Sequence, residues 1–196
     1  MKTATIKITG TKPLLMHNEI LANPLAEVSQ RLKAVTKKRG KTDSDFAEAA
    51  EIEFEGGLYF HDKDGPHIPD RVIRSVIIGA ARKFKQGRQA EEGIEYPLER
   101  YPLIYSGPRT VKGLWGAKFY DQRMVGNQNV RILRTRPRFN EWACNVSIIF
   151  DETMIDDRAL EQIVKRAGTL GLGDYRPLFG GFTADLLVDK GMLKAA

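Results

Sequence analysis

Residues 171–182, GLGDYRPLFGGF, combine four glycines with arginine, tyrosine and phenylalanine. Such a glycine density is typical of a backbone with unusual angles or one that approaches another group closely. Amide donors in this loop, with Tyr175 and Arg176 beside them, can hydrogen-bond phosphate. The loop lacks the Gly-Lys-Ser/Thr ending of a P-loop and follows a helix-like run, which argues against nucleotide hydrolysis. The alternative is a helix-to-strand connection without a ligand.

A second group of residues interleaves aromatic rings with cations between positions 109 and 138. The rings are Trp115, Phe119 and Tyr120. The cations are Arg109, Lys112, Lys118, Arg123, Arg131, Arg134, Arg136 and Arg138. This mixture favours a groove for single-stranded nucleic acid, in which bases stack and phosphates are neutralised. In the alternative interpretation, Trp115 and Phe119, four residues apart, only pin the loop to the core.

The remaining residues with catalytic or ligating potential make a weaker case. The histidines His17, His61 and His67 lack the spacing of zinc motifs, and one cysteine cannot form a thiolate cluster, so we expect no metal and no cofactor. Cys144 falls on the apolar side of its strand, where a buried, inert thiol is expected. His17 could act as the general acid or base of a metal-independent ribonuclease, or it is a hydrogen-bonded structural residue.

The positive charge is concentrated in the middle of the chain. The net charge is +6, but residues 71–139 alone hold 15 basic against 5 acidic residues, a net +10. Eleven of these 15 are arginine, the residue that suits phosphate forks and base stacking. A concentrated basic segment is typical of a protein with a polyanionic partner, and a solvated basic face is the alternative.

Three strands are predicted from alternating apolar residues. They cover Thr3–Thr9, Glu141–Phe150 and the segment Phe182–Leu186, and a basic strand is expected at Val130–Thr135. LYFHDKDGPHI is predicted to be a hairpin that turns at Asp64-Gly65.

Helices are predicted from apolar residues at helical spacing. The first begins at Pro24 and carries Leu25, Val28, Leu32 and Val35. The second begins at Thr42, places Phe46, Ala50 and Phe54 on one stripe, and stops at Gly56-Gly57. Pro69–Phe84 is the strongest helix, and Asp156 caps the last one. Lys85–Asn129 shows no clear periodicity and is expected to be functional or mobile.

The order of these elements is β-α-β-β-α-β once the helical pair is set aside. This order is that of the ferredoxin-like, RRM-like α+β fold, whose sheet can bind single-stranded nucleic acid. We therefore predict a single RRM-like domain over residues 1–196, with a helical insertion at about 24–55 and an extended basic loop or hairpin at about 86–130. No apolar run approaches the ~20 residues that span a bilayer, and MKTATIKITG lacks the apolar core of a signal peptide, so we expect no membrane partner and a cytoplasmic location.

Three segments resemble the RAMP superfamily of CRISPR-associated proteins. HIPDRVIRSVIIGAARKF resembles the helix after the first strand of that family. The basic, aromatic middle of the chain occupies the place of the family's extended hairpin, or thumb. GLGDYRPLFGGF resembles the family's glycine-rich loop. The likeness is closest to the backbone subunit that coats guide RNA in multi-subunit effector complexes. The chain also resembles uncharacterised bacteriophage proteins with the segments TKPLLMHN, RTRPRF-x-x-W and GLGDYRPLFG, which would place it in the cytoplasm of a host.

The resemblance implies sequence-independent binding of single-stranded DNA or RNA by copies that assemble side by side, as a filament or ring, without catalysis. By position, the residues that contact the nucleic-acid backbone would be Arg71, Arg74, Gly171, Gly173, Arg176 and Gly180. Trp115, Phe119 and the arginines at 131–138 would form the thumb. The chain departs from the family in its small size and its helical pair. Two alternatives therefore stay open: a metal-independent endoribonuclease that uses His17 or Tyr175, and an inhibitor that mimics a CRISPR backbone subunit.

Overall fold

The structure, a computed structural model, describes residues 1–127 and 130–189. It has a mixed α+β fold with antiparallel sheets. The chain divides into two units, each described separately below. Unit 1 comprises Met1–Leu14, His67–Tyr105 and Glu141–Ala196, and unit 2 comprises Leu15–Pro66 and Ser106–Asn140. The single-domain organisation that the sequence predicts stays a prediction.

Strands and helices are numbered in chain order. The strands are β1 (Lys2–Gly10), β2 (Leu14–Leu15), β3 (Phe60–His61), β4 (Gly65–Pro69), β5 (Ile94–Glu95), β6 (Arg100–Pro102), β7 (Tyr120–Asn127), β8 (Val130–Phe139), β9 (Ala143–Phe150) and β10 (Phe182–Val188). The helices are α1 (Glu27–Thr36), α2 (Asp43–Gly57), α3 (Asp70–Arg82), α4 (Gly87–Gly93), α5 (Val111–Gly116) and α6 (Asp157–Leu170). A short 3₁₀ helix, Glu19–Ala22, precedes α1.

Unit 1 contains a four-stranded antiparallel sheet in the order β10-β1-β9-β5. The central strand is β1, in which Ile6 lies opposite Leu186 of β10 on one side and Val146 of β9 on the other. Apolar side chains alternate along β1 and β9 and are buried on one face, as period-two patterning requires. The three predicted strands at Thr3–Thr9, Glu141–Phe150 and from Phe182 are therefore confirmed.

Two helices of unit 1 bury their apolar stripes. α3 packs against α6, and α6 packs against β10. Ile73 and Ile77 of α3 and Leu160 and Ile163 of α6 are buried because they recur at helical spacing on one face. The side chain of Asp156 caps α6, since its Oδ1 accepts a hydrogen bond of 2.7 Å from the Ala159 amide. The predicted cap and both predicted helices are confirmed.

Unit 2 combines the helices α1, α2 and α5 with a long β-hairpin. α1 packs against α2, and α2 packs against β8. Thr42 caps α2 through a capping box, in which its hydroxyl accepts from the Asp45 amide and the Asp45 carboxylate accepts from the Thr42 amide. The predicted start of this helix is confirmed. The predicted hairpin at Asp64-Gly65 is also confirmed, with His61 opposite Gly65 and Gly65 at a φ of +69°.

The first helix begins later than the sequence predicts. Pro24 and Leu25 lie before α1, which starts at Glu27, and Leu25 is 82% exposed. The Asn23 side chain accepts a hydrogen bond of 3.0 Å from the Leu25 amide, an Asx turn that replaces the first helical turn. Leu25 therefore matches the apolar spacing of the helix without belonging to it.

The middle of the chain is more regular than its composition indicates. Residues 85–127 contain α4, β5, β6, α5 and β7, none of which shows a strong apolar period. The basic hairpin consists of β7 and β8, in which Asp121 lies opposite Arg136 and Met124 lies opposite Leu133. It runs from residue 120 to residue 139 and so lies later than the predicted 86–130, of which residues 128 and 129 are outside the described part. The strand predicted at Val130–Thr135 is confirmed within β8.

Candidate functional site

The basic character of unit 2 arises from one segment, residues 106–140. It holds eight basic residues against one acidic residue, a net +7, and supplies α5, β7 and β8. The eight are the cations that the sequence singles out: Arg109, Lys112, Lys118, Arg123, Arg131, Arg134, Arg136 and Arg138. The structure brings them into one unit, but they differ in what surrounds them. Seven of them form two groups, four arginines with structural partners and three cations that face solvent, and Arg109 is described with the second group.

Asp121 neutralises part of this charge. Its carboxylate accepts hydrogen bonds of 2.5 and 2.8 Å from Arg123 and one of 3.4 Å from Arg138. The hydrogen bond from Arg123, followed by the charges of both arginines, holds the pKa of Asp121 below its usual range, although burial opposes this shift. Arg123 and Arg138 are therefore engaged in stabilising the hairpin.

The stability of unit 2 should depend on pH through Asp121. Asp121→Asn is expected to lower the free energy of unfolding by about 2 kcal/mol at pH 7, the scale of hydrogen bonds to a charged group. Because the folded pKa is lowered, this contribution is fully present above the unfolded pKa of about 3.9 and is lost as the pH falls through the folded pKa. Urea unfolding at pH 7, 5 and 3 should show the difference from the wild type shrinking with acidity.

The matched control for this experiment is Asp185→Asn. Asp185 is an exposed carboxylate for which no ion pair is found in the described part of the chain. This variant should differ little from the wild type at every pH. A cost of Asp121→Asn that stays constant from pH 7 to pH 3 would show that the carboxylate acts through packing rather than through charge.

A second carboxylate, Glu53 of α2, engages two residues of β8. It is 5% exposed and accepts hydrogen bonds of 2.5 Å from Nη1 of Arg134 and 2.8 Å from the Thr135 amide. A buried carboxylate needs such partners because burial removes the water that would otherwise solvate its charge. Arg136 is itself buried at 8% exposure and donates to the Thr135 carbonyl at 3.4 Å. Arg134 and Arg136 therefore have structural partners as well.

Three other cations face solvent. Lys112, Lys118 and Arg131 are exposed, and no hydrogen bond or ion pair is found for their side chains among the described residues. Arg109 is also exposed and lies beside the Gly65 backbone. Lys118 has a φ of +59° at the end of α5 and borders a small polar cleft of about 240 Å³ with Arg138. We call Lys112, Lys118 and Arg131 the open cations; they are the charges of segment 106–140 that a polyanion could neutralise.

The predicted stacking rings pack within unit 2. Trp115 stacks on Tyr120 with ring centroids 4.5 Å apart and lies 5.4 Å from Phe54. Phe119 contacts Phe139 at 5.6 Å. These contacts match the interpretation in which Trp115 and Phe119 pin the loop to the core, and their contact with bases stays a prediction.

An apolar cleft of about 640 Å³ lies between α1, α2 and the hairpin of unit 2. Three of its apolar side chains are exposed, Phe46 by 51%, Met124 by 56% and Leu133 by 40%. Lys41 and Arg131 also line it. The sequence places Phe46 on one stripe of α2 with Ala50 and Phe54, and Phe46 and Ala50 do line this cleft together. Phe46 nevertheless stays exposed, whereas Ala50 and Phe54 are buried. The exposure of Phe46 could not be predicted from the sequence, because helical spacing does not show whether a neighbouring element covers a residue.

The glycine loop of unit 1 approaches its own backbone. A side chain on Gly180 would place Cβ 1.7 Å from the Leu172 carbonyl oxygen, and one on Gly171 would lie 2.8 Å from the Phe179 carbonyl oxygen. Both glycines are buried and have positive φ. Their amides donate to Pro13 and Ala167, so these two amides are not available to a phosphate. Of the residues predicted to contact nucleic acid in this loop, Gly173, Tyr175 and Arg176 therefore remain as candidates.

Those three residues line an open cleft at the end of α6. The cleft has a volume of about 800 Å³ and is also bordered by Arg166, Thr169 and Asp174. Arg176 is exposed, whereas Tyr175 is half-buried at a φ of +51°. The cleft thus offers two guanidinium groups, Arg166 and Arg176, against one carboxylate, a charge balance that suits an anion.

The two arginines of α3 differ in their surroundings. Arg71 is exposed, whereas Arg74 is half-buried and its guanidinium lies 4.9 Å from the centre of the Tyr96 ring. This is the distance of a cation–π contact. Burial raises the pKa of Tyr96, and the charge of Arg74 opposes that shift. A nucleic-acid contact by either arginine stays a prediction.

The exposed face of the sheet in unit 1 carries no aromatic ring. Its side chains include Thr5, Lys7, Asn145 and Asp185, and the sheet's two phenylalanines, Phe150 and Phe182, are buried on the other face. RNA-recognition sheets stack bases on aromatic residues of the exposed face. Bases therefore have no ring to stack on at the sheet of this unit.

The remaining sequence candidates are His17 and Cys144. His17 is exposed, and its carbonyl accepts a hydrogen bond of 3.1 Å from the Tyr59 hydroxyl. Cys144 is completely buried, and burial raises the pKa of its thiol to about 12. Within residues 1–127 and 130–189, no cluster of three or more histidine, cysteine or acidic side chains could hold a metal ion.

Comparisons with known proteins do not assign the chain to a family. The chain matches no protein-family model and no curated protein. No helix in the described part of the chain combines the length and the apolar character needed to cross a membrane.

Proposed function

We propose that this protein binds single-stranded nucleic acid without sequence preference and without catalysis, and that copies assemble side by side along the strand. The open cations carry the proposal. Segment 106–140 has a net charge of +7, and its only carboxylate is already shared by Arg123 and Arg138. A surface with unneutralised lysine and arginine gains free energy when it displaces counterions from a phosphate backbone.

The fold that we propose for unit 1 is consistent with this function. Its core elements follow the chain order β1, α3, β5, β9, α6, β10, which is β-α-β-β-α-β. The sheet order β10-β1-β9-β5 places the first strand of this series between the third and the fourth. We assign this arrangement to the ferredoxin-like, RRM-like class, with segments 15–66 and 106–140 as insertions. Fold alone does not define function, so the open cations remain the argument.

A salt titration tests the proposed function. Fluorescence anisotropy with labelled 20-mers of deoxythymidine and of uridine should show binding at 50 mM salt that weakens steeply as salt increases. Each phosphate contact contributes about −0.7 to the slope of log K against log salt for a single strand. With three to four open or exposed cations engaged, we expect a slope of about −2 to −3. Absence of binding to both strands at 50 mM salt would contradict the proposal.

Two further readouts from the same samples address assembly and catalysis. Mass photometry should count more copies on a 60-mer than on a 20-mer, because copies that lie side by side fill the strand. The uridine strand should be recovered intact after long incubation. Cleavage without added metal that His17→Ala abolishes would show that the protein is a ribonuclease instead.

A further inference from the structure

The apolar cleft of unit 2 is an unusual surface for a protein to leave open. Phe46, Met124 and Leu133 are each at least 40% exposed and line the same cleft of about 640 Å³. Scattered exposed apolar residues are ordinary, but a contiguous apolar patch with a polar rim marks a binding site. The volume also lies within the range of pockets that hold small organic groups.

The charges around the cleft indicate the kind of group that it binds. Lys41 and Arg131 are exposed and line the cleft. The one carboxylate in its wall, Glu53, is neutralised by Arg134 and by the Thr135 amide. The cleft therefore combines exposed apolar side chains with a net positive charge. A neutral peptide would leave those cations unmatched, whereas a nucleotide joins an apolar ring face to an anionic phosphate.

Three of the other aromatic residues that the sequence indicates, Trp115, Phe119 and Tyr120, already pack against neighbouring rings. Trp115 is packed against Tyr120 and Phe54, Phe119 is packed against Phe139, and the exposed sheet face of unit 1 has no ring. Phe46 is the exposed ring of unit 2, and it lies in a cleft bordered by an open cation.

We infer that the apolar cleft seats one base of the bound strand, stacked on Phe46 and in contact with Met124 and Leu133, while Arg131 neutralises an adjacent phosphate. This inference rests on the proposed function and names the part of the strand that enters the protein. Stacking on a ring face does not distinguish one base from another, because every base has a π face. The cleft thus explains how binding can involve bases and still be independent of sequence.

The test uses the full chain and a 20-mer of deoxythymidine with 2-aminopurine at one central position. Stacking on Phe46 should quench the 2-aminopurine emission when the wild type binds. Phe46→Ala is expected to weaken binding by roughly 5- to 150-fold, the range measured for one stacked base. It should also remove most of the quenching. Phe46→Trp, which keeps a ring, should retain both affinity and quenching.

Phe84→Ala is the matched control, since Phe84 is also exposed, by 42%, and belongs to unit 1 rather than to the cleft. It should bind like the wild type. Phe46→Leu keeps apolar area without a ring and should resemble Phe46→Ala. Thermal melts should show that the Phe46 variants are folded, because half of this side chain is already in solvent.

The outcomes separate the inference from the proposed function. If the wild type binds with a steep salt dependence but Phe46→Ala and Phe46→Leu bind and quench equally well, the cleft does not seat a base and the proposed function stands. Full affinity of Phe46→Leu alone would likewise overturn stacking and point to an apolar partner segment. If the wild type binds no strand at all, both proposals fall.

Discussion

Reversing the open cations, as Lys112→Glu, Lys118→Glu and Arg131→Glu together, is expected to weaken binding of a single-stranded 20-mer by about 100-fold or more at 0.1 M salt. At a slope of about −0.7 per contact, three phosphate contacts correspond to about 100-fold between 1 M salt and 0.1 M salt. The reversed charges add repulsion to that loss. The slope of log K against log salt should flatten by about 2.

The control for this variant changes the net charge equally at other exposed positions of unit 2. Lys33→Glu, Lys37→Glu and Lys63→Glu serve this purpose, since no ion pair is found for these lysines within the described residues. This control should retain most of the affinity of the wild type. Equal losses in the two variants would mean that overall charge, rather than the surface of α5 and the hairpin, drives binding.

Gly180→Ala is expected to lower the free energy of unfolding of unit 1 by about 3 kcal/mol or more. The residue has a φ of +70°, which costs a side chain about 1–2 kcal/mol. In addition, the new Cβ would lie 1.7 Å from the Leu172 carbonyl oxygen and 2.8 Å from its nitrogen. The backbone cannot easily move away, because the Leu172 amide donates to Gly180 and the Gly180 amide donates to Pro13.

Gly79→Ala is the matched control for Gly180→Ala. It lies in α3 of the same unit, and its Cβ would have one ordinary contact, 3.8 Å from Cδ1 of Leu170. Alanine inside a helix is more favourable than glycine by about 0.5–1 kcal/mol, so this variant should be slightly more stable. Urea unfolding measures both. A cost of Gly180→Ala below about 1 kcal/mol would show that the loop relaxes and that its glycine content needs another explanation.

Local features of the fold could be predicted from the sequence where neighbouring residues determine them. The alternation of β1, the Thr42 capping box and the Asp156 cap each depend on residues within a few positions of one another. α5 was not predicted, and β7 was expected only as part of an extended basic loop or hairpin. Their faces are only partly buried, and a half-exposed hairpin rich in arginine has no strong apolar period.

The residue types of the candidate site could be predicted from the sequence, but the contacts that these residues make could not. The eight cations of segment 106–140 are visible in the sequence, yet their partners depend on tertiary contacts. Glu53 is 81 residues from Arg134, and only the packing of α2 on β8 brings them together. The same limit applies to Phe46, whose exposure depends on where the hairpin lies in unit 2. The glycine loop was expected to approach the phosphates of a nucleic acid, and that contact stays a prediction. Its glycines Gly171 and Gly180 approach the backbone of the loop itself, which depends on how the loop folds back.

The burial of Cys144 has a practical consequence for labelling. The chain holds one cysteine, and a thiol whose pKa is raised to about 12 contains almost no thiolate at neutral pH. Maleimide dyes should therefore react with a cysteine introduced at an exposed position, such as Ser75→Cys, while the native thiol stays unmodified. Site-specific fluorophores can then be attached without first removing the native cysteine, and the number of copies on a single strand can be counted by photobleaching steps.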